Sequence, residues 1–286
     1  MPLSTLIWQA HNIMHTAVVF YFSGTGNTWW VADRIIRQLD ASNINATAVS
    51  MDTLSPKKAD WWIKSADLVL FGWPVYTSYL PQPVNRFIDA LPVLEKPKHV
   101  HVFCTQMMYS GDGAWMAHKR LKEKGLLVDT AEHFTMPSNM SMNHSFFGTP
   151  PQKAVKKILN AAEAQVQNYV KRLLEGRQRI KGRYGWLLGS VQRVPFRPFQ
   201  RNAARKMGVD TVRCTGCGLC EKLCPVGNIS LSQVPVFFDR CAMCLRCYAF
   251  CPVSAVTYGG RLHDVNKYGR PYTVPDIHFK SSLLVK

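Results

Sequence analysis

No apolar run in the 286-residue sequence approaches the roughly 18–20 residues needed to cross a bilayer, so no transmembrane segment is expected. Acidic side chains are scarce, 18 against 35 Lys and Arg, and low-complexity tracts are lacking. With 47% of residues hydrophobic, wholesale disorder is excluded. No basic residue precedes Arg34, so the N-terminus has neither the charged start of a signal peptide nor the Arg-rich face of a transit peptide. Residues 1–15 read as an N-terminal extension, and a cytoplasmic location is the expectation. The nine histidines show no ligand spacing, and His99 with His101 fits strand alternation. Before residue 214 the only cysteine is Cys104, which closes an apolar strand and reads as a small core residue.

The other eight cysteines lie between Cys214 and Cys251. Cys214, Cys217, Cys220 and Cys224 precede Pro225; Cys241, Cys244, Cys247 and Cys251 precede Pro252. Each run reads C-x2-C-x2-C-x3-C-P, and a fixed offset of 27 residues relates them, carrying Val226 onto Val253 and Ile229 onto Val256. This is an internal duplication. Two residues between ligands let a tight loop wrap one corner of a cubane, and the proline redirects the chain so that the fourth cysteine serves the other cluster. The expected sets for two [4Fe–4S] clusters are Cys214, Cys217, Cys220 with Cys251, and Cys241, Cys244, Cys247 with Cys224. Zinc ribbons use paired C-x2-C but not three cysteines per loop plus a C-P, twice. Gly216 and Gly218 would let backbone N–H groups approach the sulfides, whereas the second loop has Ala242, Met243, Leu245 and Arg246. Different potentials are therefore expected, with Arg246 favouring the reduced, more negative state of its neighbour. The segment from about Met207 to Gly260 resembles a bacterial-type ferredoxin domain.

The front half carries a second motif. Ala17 to Phe22 is a continuous apolar run, as for a strand buried on both faces of a parallel sheet. Ser23-Gly24-Thr25-Gly26-Asn27-Thr28 follows, then a helix with Val31, Ile35 and Leu39 on one stripe. Loop N–H groups, hydroxyls and the positive helix end all converge on one anion. A triphosphate loop needs a Lys before its Ser/Thr, and none is present. The dinucleotide pattern G-x-G-x-x-G fails at its third glycine, where Trp29 stands. A hydroxyl-rich loop without a cation suits a monoester phosphate such as that of FMN, and this string resembles the phosphate loop of flavodoxins.

Further strand candidates are Ile44–Val49, Asp67–Gly72, Val100–Cys104 and Leu127–Phe134, alternating with helical stretches. The expected fold is α/β: a flavodoxin-like doubly wound parallel sheet of about five strands over residues 16–175, followed by a small α+β 2[4Fe–4S] ferredoxin-like domain over 207–286. The resemblance to flavodoxins implies that two strand-end loops clasp the isoalloxazine. The first is Trp73-Pro74-Val75-Tyr76, and the second is Thr105-Gln106 followed by Tyr109-Ser110-Gly111-Asp112-Gly113. Tyr76 or Trp73 would cover one face and Tyr109 or Trp115 the other, with backbone groups of the Ser110-to-Gly113 stretch on the pyrimidine edge. Core packing is the ordinary fate of most tryptophans. Asp112 and Asp33 could be offered as proton donors, although solvated carboxylates read equally well.

Ala154–Leu174 has helical apolar spacing and would close the sheet. Residues 176–206 form a basic linker whose glycines and prolines argue against one long amphipathic helix. Basic residues interleaved with aromatics also mark nucleic-acid binding or interfacial membrane segments. The preferred expectation is a positive docking face for an acidic redox partner protein, with no nucleic acid. Two clusters and a flavin phosphate would lower the formal charge from +17 to about +11, still basic. From about Thr16 onward the chain resembles flavodoxin–ferredoxin fusions, the EFR1-family ferredoxins found mainly in anaerobes. That resemblance implies FMN, two [4Fe–4S] clusters and an electron-transfer role. The alternative expectation is an FMN-dependent reductase of a small-molecule acceptor, fed by its own ferredoxin domain.

Overall fold

The computed structural model describes residues 15–76, 79–139, 148–263 and 279–284, without the side chains of 195–201. Most of the N-terminal extension expected at 1–15 therefore lies outside the described residues. Strands β1 (Thr16–Tyr21), β2 (Asn45–Ser50), β3 (Leu68–Pro74), β4 (Lys98–Gln106) and β5 (Leu126–Thr135) form one parallel sheet in the order β2-β1-β3-β4-β5. The five strands fall where the apolar runs place them. All seven residues of β3, the middle strand, are buried, as expected where helices cover both faces. The order reverses between β1 and β3, so a crevice opens there beyond the carboxyl ends of the strands.

Helices α1 (Asn27–Asp40), α2 (Pro56–Ser65), α3 (Gln82–Ala90), α4 (His118–Glu123) and α5 (Gln152–Leu174) flank the sheet. The stripe Val31, Ile35, Leu39 is wholly buried, and α1 packs against α5 through a core that includes Val166, Tyr169 and Val170. Cys104 lies in the opposite core, where burial pushes its thiol up.

The linker corrects an expectation. Trp186–Arg205 is one 20-residue helix, α6, although it contains Pro195 and Pro198. A proline leaves the carbonyl four residues before it without a donor. Here those carbonyls belong to Val191 and Val194, which are 61% and 71% exposed, so water can satisfy them. Among the described residues, the buried positions of α6 are small: Gly189, Ala203 and Ala204. An added Cβ at Gly189 would lie 2.3 Å from Asp112, and one at Gly111 would lie 2.6 Å from Gly189.

The second half contains β6 (Met207–Val209), α7 (Leu219–Lys222), β7 (Ile229–Leu231), β8 (Pro235–Phe237), α8 (Arg246–Ala249) and β9 (Val256–Tyr258). Strand β6 pairs antiparallel with β9, and β7 with β8. The 27-residue duplication is visible in the backbone. Helices α7 and α8 begin at matching positions, as do β7 and β9. Gly216, Gly218 and Gly227 have φ of 67°, 72° and 62°; their counterparts Met243, Leu245 and Ser254 have 54°, 61° and 51°. Left-handed backbone is uncommon for side chains such as Met and Leu, so the second loop keeps a shape that its residues do not favour. The two halves share a core. Leu223, Phe279 and Leu284 pack with Trp29 and Trp30, and the Trp29 and Phe279 rings lie 5.1 Å apart.

Candidate functional site

Helix α1 starts at Gly26, whose φ of 110° turns the chain and leaves no side-chain cap on the helix end. With no acid in the first turn, the end keeps its positive character for an external anion. The loop is preorganised by its own side chains. Ser23 Oγ accepts from Gly26 N–H at 3.2 Å, and Thr28 Oγ1 pairs with Thr105 Oγ1 at 2.8 Å. Asn139 Nδ2 donates to Thr25 Oγ1 at 2.6 Å, and Asn27 Nδ2 donates to the Pro137 carbonyl at 2.9 Å.

A cavity of about 110 Å³ opens from this loop, with room for a phosphate and a short polyol chain. Ser23, Gly24, Thr25, Asn27 and Thr28 line it, together with Pro74, Val75 and Tyr76 from the end of β3. Thr105 and Gln106 at the end of β4, from the second expected flavin loop, line it too, and three groups that sequence reasoning missed complete it: Met107 after β4, Pro137–Asn139 after β5, and Met243 with Leu245 from the second cysteine loop. The first two follow from the carboxyl-end rule applied to β4 and β5. Nothing in the local sequence announces the third.

The remaining flavin-loop residues lie elsewhere. Trp73 is wholly buried under the site and donates its Nε1–H to the Gly113 carbonyl at 3.3 Å. Ser110 and Asp112 are buried, Ser110 donating to Gln106 Oε1. Asp112 is held by Arg193 of α6 at 2.6 and 3.2 Å, so it is a paired carboxylate and not a solvated one. Asp33 likewise pairs with Arg34 and Arg37. Tyr109 is 57% exposed and borders a different groove. Thus the stretch 110–113 faces the linker helix, because the glycines at 111, 185 and 189 let the two backbones touch.

The cysteines fall into the two sets that their spacing suggests. Cys214, Cys217, Cys220 and Cys251 ring one hollow; Cys224, Cys241, Cys244 and Cys247 ring another. Backbone N–H groups already point at several sulfurs: Asn228 to Cys224 at 3.1 Å, Ala255 to Cys251 at 3.2 Å, and Met243 to Cys241 at 3.3 Å. Such donors stabilise thiolates and tune a cluster. Four thiols with backbone donors are the chemistry that 4Fe–4S ligation calls for. Burial pushes Cys220 up to about 11 and Cys244 up to about 12, and neighbouring thiolates add to this for both. Those thiols are protonated near neutrality, and iron must displace their protons.

The two loops differ in setting. Cys217 is exposed and Val212 beside it is 94% exposed, whereas Cys244 is buried against the front half. Tyr76 lies at that junction, its hydroxyl buried beside Gly24. Burial chiefly, and then the nearby Cys244, push its phenol up. Arg246 does not act as a lone cation. Its guanidinium is paired with Asp52 at 2.5 Å, with both side chains at most 2% exposed, and it still acts on the Cys244 thiol, lowering it against the upward push of burial.

This geometry, a phosphate-binding strand–loop–helix beside two rings of four cysteines, defines a class of redox protein. The family model of the flavodoxin domain matches residues 18–137, and that of the 4Fe-4S binding domain matches residues 207–230. The chain is a flavodoxin–ferredoxin fusion, an electron-transfer flavo-iron–sulfur protein whose domains imply FMN, 4Fe–4S ligation and redox partners. Among solved structures it is similar to a flavodoxin from the domain Archaea (18% identity, 55% of this chain and 99% of that one, TM-score 0.36). It is also similar to the two-electron reduced flavodoxin of Megasphaera elsdenii (24%, 52% and 98%, 0.36). A third is the flavodiiron core of Flv1 from Synechocystis (17%, 59% and 39%, 0.38). No curated protein matches the chain. Among the described residues, no helix is long and apolar enough to cross a membrane.

Proposed function

We propose that the protein relays electrons between a redox partner and FMN through two [4Fe–4S] clusters. The observation that carries this reading is the wall that Met243 and Leu245 add to the phosphate-loop cavity, which sets the ring Cys224, Cys241, Cys244, Cys247 beside the flavin position. When bound, the clusters supply one-electron steps, and FMN holds one electron or two. The chain's own residues supply position. Ser23–Thr28 hold the phosphate, Tyr76 stands between cavity and cysteine ring, and the exposed Cys214–Cys217 loop is the port for an external donor. Fusion makes the internal transfer independent of partner concentration.

The partner is a protein with an acidic face. A broad groove carries Lys119, Arg120 and Arg183 with Trp115, Tyr184 and Trp186, and long-range attraction to such a surface raises encounter rates.

The test is the flavin, iron and sulfide content of protein purified without oxygen, followed by reduction kinetics of the Cys217→Ser variant. The expectation is one FMN with about eight iron and eight sulfide per chain, and about four of each in the variant with slowed flavin reduction. Unchanged flavin reduction in the variant refutes the relay. Iron without flavin, even after FMN is added, refutes it as well.

A further inference from the structure

We propose that Arg246 is a positioning residue through which the second cysteine ring and the phosphate loop strengthen one another's loading. The inference rests on the reading of loop and ring given above. The duplication supplies an internal control. Where the first repeat has Gly216, Gly218 and Leu219, the second has Met243, Leu245 and Arg246, on a backbone of the same shape. These changed side chains face the front half. Met243 and Leu245 line the cavity, and Arg246 is wholly buried behind it.

Arg246 binds three segments at once. Its Nε and Nη2 donate to the Ser23 carbonyl at 3.1 and 2.7 Å. Its Nη1 donates to Asp52 Oδ2 at 2.5 Å and to the Leu223 carbonyl at 3.4 Å. The guanidinium also lies 5.0 Å from the Phe22 ring. Ser23 opens the phosphate loop, Asp52 follows β2, and Leu223 adjoins Cys224, the fourth member of the second ring.

A guanidinium is planar and its donors form a rigid fork, so movement at one partner is felt at the others. Packing adds to this, because the Cys244 carbonyl abuts Gly24. Neither Arg246 nor Asp52 lines the cavity, so their influence on a bound phosphate passes through the backbone of Ser23 and Gly24. A filled ring fixes the Cys241–Cys247 loop, and Arg246 transmits that order to the phosphate loop. By linkage, a bound phosphate returns the same free energy to the ring.

The experiment measures FMN dissociation constants for the full chain, iron-free and after reconstitution with iron and sulfide, from the fluorescence of free FMN. Wild-type protein should bind FMN at least about fivefold more tightly when reconstituted, and bound FMN should slow iron loss to a chelator. In Arg246→Met the affinity ratio should fall to about one, and in Arg246→Lys it should fall part of the way. Arg246→Lys keeps the charge, so it carries the test where the methionine variant does not fold. Glu132→Gln, which weakens a buried ion pair away from the cavity, should keep the wild-type ratio. An Arg246→Met ratio equal to wild type overturns the proposal, and so does a wild-type ratio of one. Absence of FMN binding in both forms overturns the flavin reading and the coupling with it, whereas tight binding with a ratio of one overturns the coupling alone.

Discussion

Replacing Gly24 with alanine should pry the second cysteine loop away from the phosphate loop. Gly24 does not have left-handed backbone, so alanine brings no conformational strain there. Its new Cβ would lie 2.4 Å from the Cys244 carbonyl oxygen and 2.5 Å from the Tyr76 hydroxyl, where ordinary contact needs 3.4–4 Å. One of these neighbours is main chain and cannot swing aside, so the loops must part by about 1 Å. Overpacking of this kind costs about 1–3 kcal/mol. For a chain of this size that corresponds to a fall in melting temperature of roughly 2–12 °C. The assay is a thermal melt followed by near-ultraviolet circular dichroism, beside the flavin retained after gel filtration. Adding Tyr76→Phe removes the hydroxyl but not the carbonyl, so the double variant should recover only part of the loss. A Gly24→Ala melt within about 1 °C of wild type, with flavin content unchanged, would refute the contact between the two loops. Complete recovery in the double variant would assign the whole effect to Tyr76.

Three other outcomes follow from the geometry. Glu132, at 1% exposure, accepts from Arg172 at 2.6 Å and from Gln165 at 3.1 Å and pairs with Lys181, so Glu132→Gln should cost about 3 kcal/mol, measured by the urea midpoint. Burial pushes His101 and His133 down to about 4, with Lys181 adding to the effect at His133. Between about pH 6.5 and 4 the unfolded chain therefore binds protons that the folded chain refuses. Stability should be complete above that window and fall as pH drops through it, by at most about 1.4 kcal/mol per pH unit for each imidazole, and His101→Gln should flatten the slope. Reduction by an acidic partner should slow as salt rises, whereas internal flavin reduction should not; equal salt dependence of both steps would contradict a docking role for the basic groove.

The parts of the molecule legible in the sequence are those governed by short-range rules. Apolar runs place the central strands β1 and β3 because a parallel sheet covered on both faces demands continuous hydrophobic residues. Cysteine spacing suggests the ligand sets because cubane geometry leaves few loops that can wrap it. The linker helix was hidden because prolines count against a helix only where the freed carbonyl lacks water. Gly111 reads in sequence as part of a flavin loop, and the linker glycines 185 and 189 read as helix breakers, yet the effect of all three is close contact between α6 and the 110–113 loop. Arg246 reads in sequence as a cation acting on the neighbouring cluster, and its bracing role emerges only when its partner Asp52, 194 residues away, is known. Docking of one half on the other has no periodicity to read. It shows in sequence only as departures from the duplication at Met243, Leu245 and Arg246.

The long span closed by Arg246 also orders events during synthesis. Ser23 and Arg246 are 223 residues apart, and translation proceeds at about 5–20 residues per second. The strand and loop that receive the phosphate therefore leave the ribosome roughly 11–45 s before the side chain that braces them. Once residues 137–139 have also emerged, and until Met243 and Leu245 follow, the nascent sheet presents a cavity without that wall, open to the surrounding pool of ligands. Assembly thus has a last step that is late by construction, and a chain released before residue 246 would carry the receiving loop without its brace.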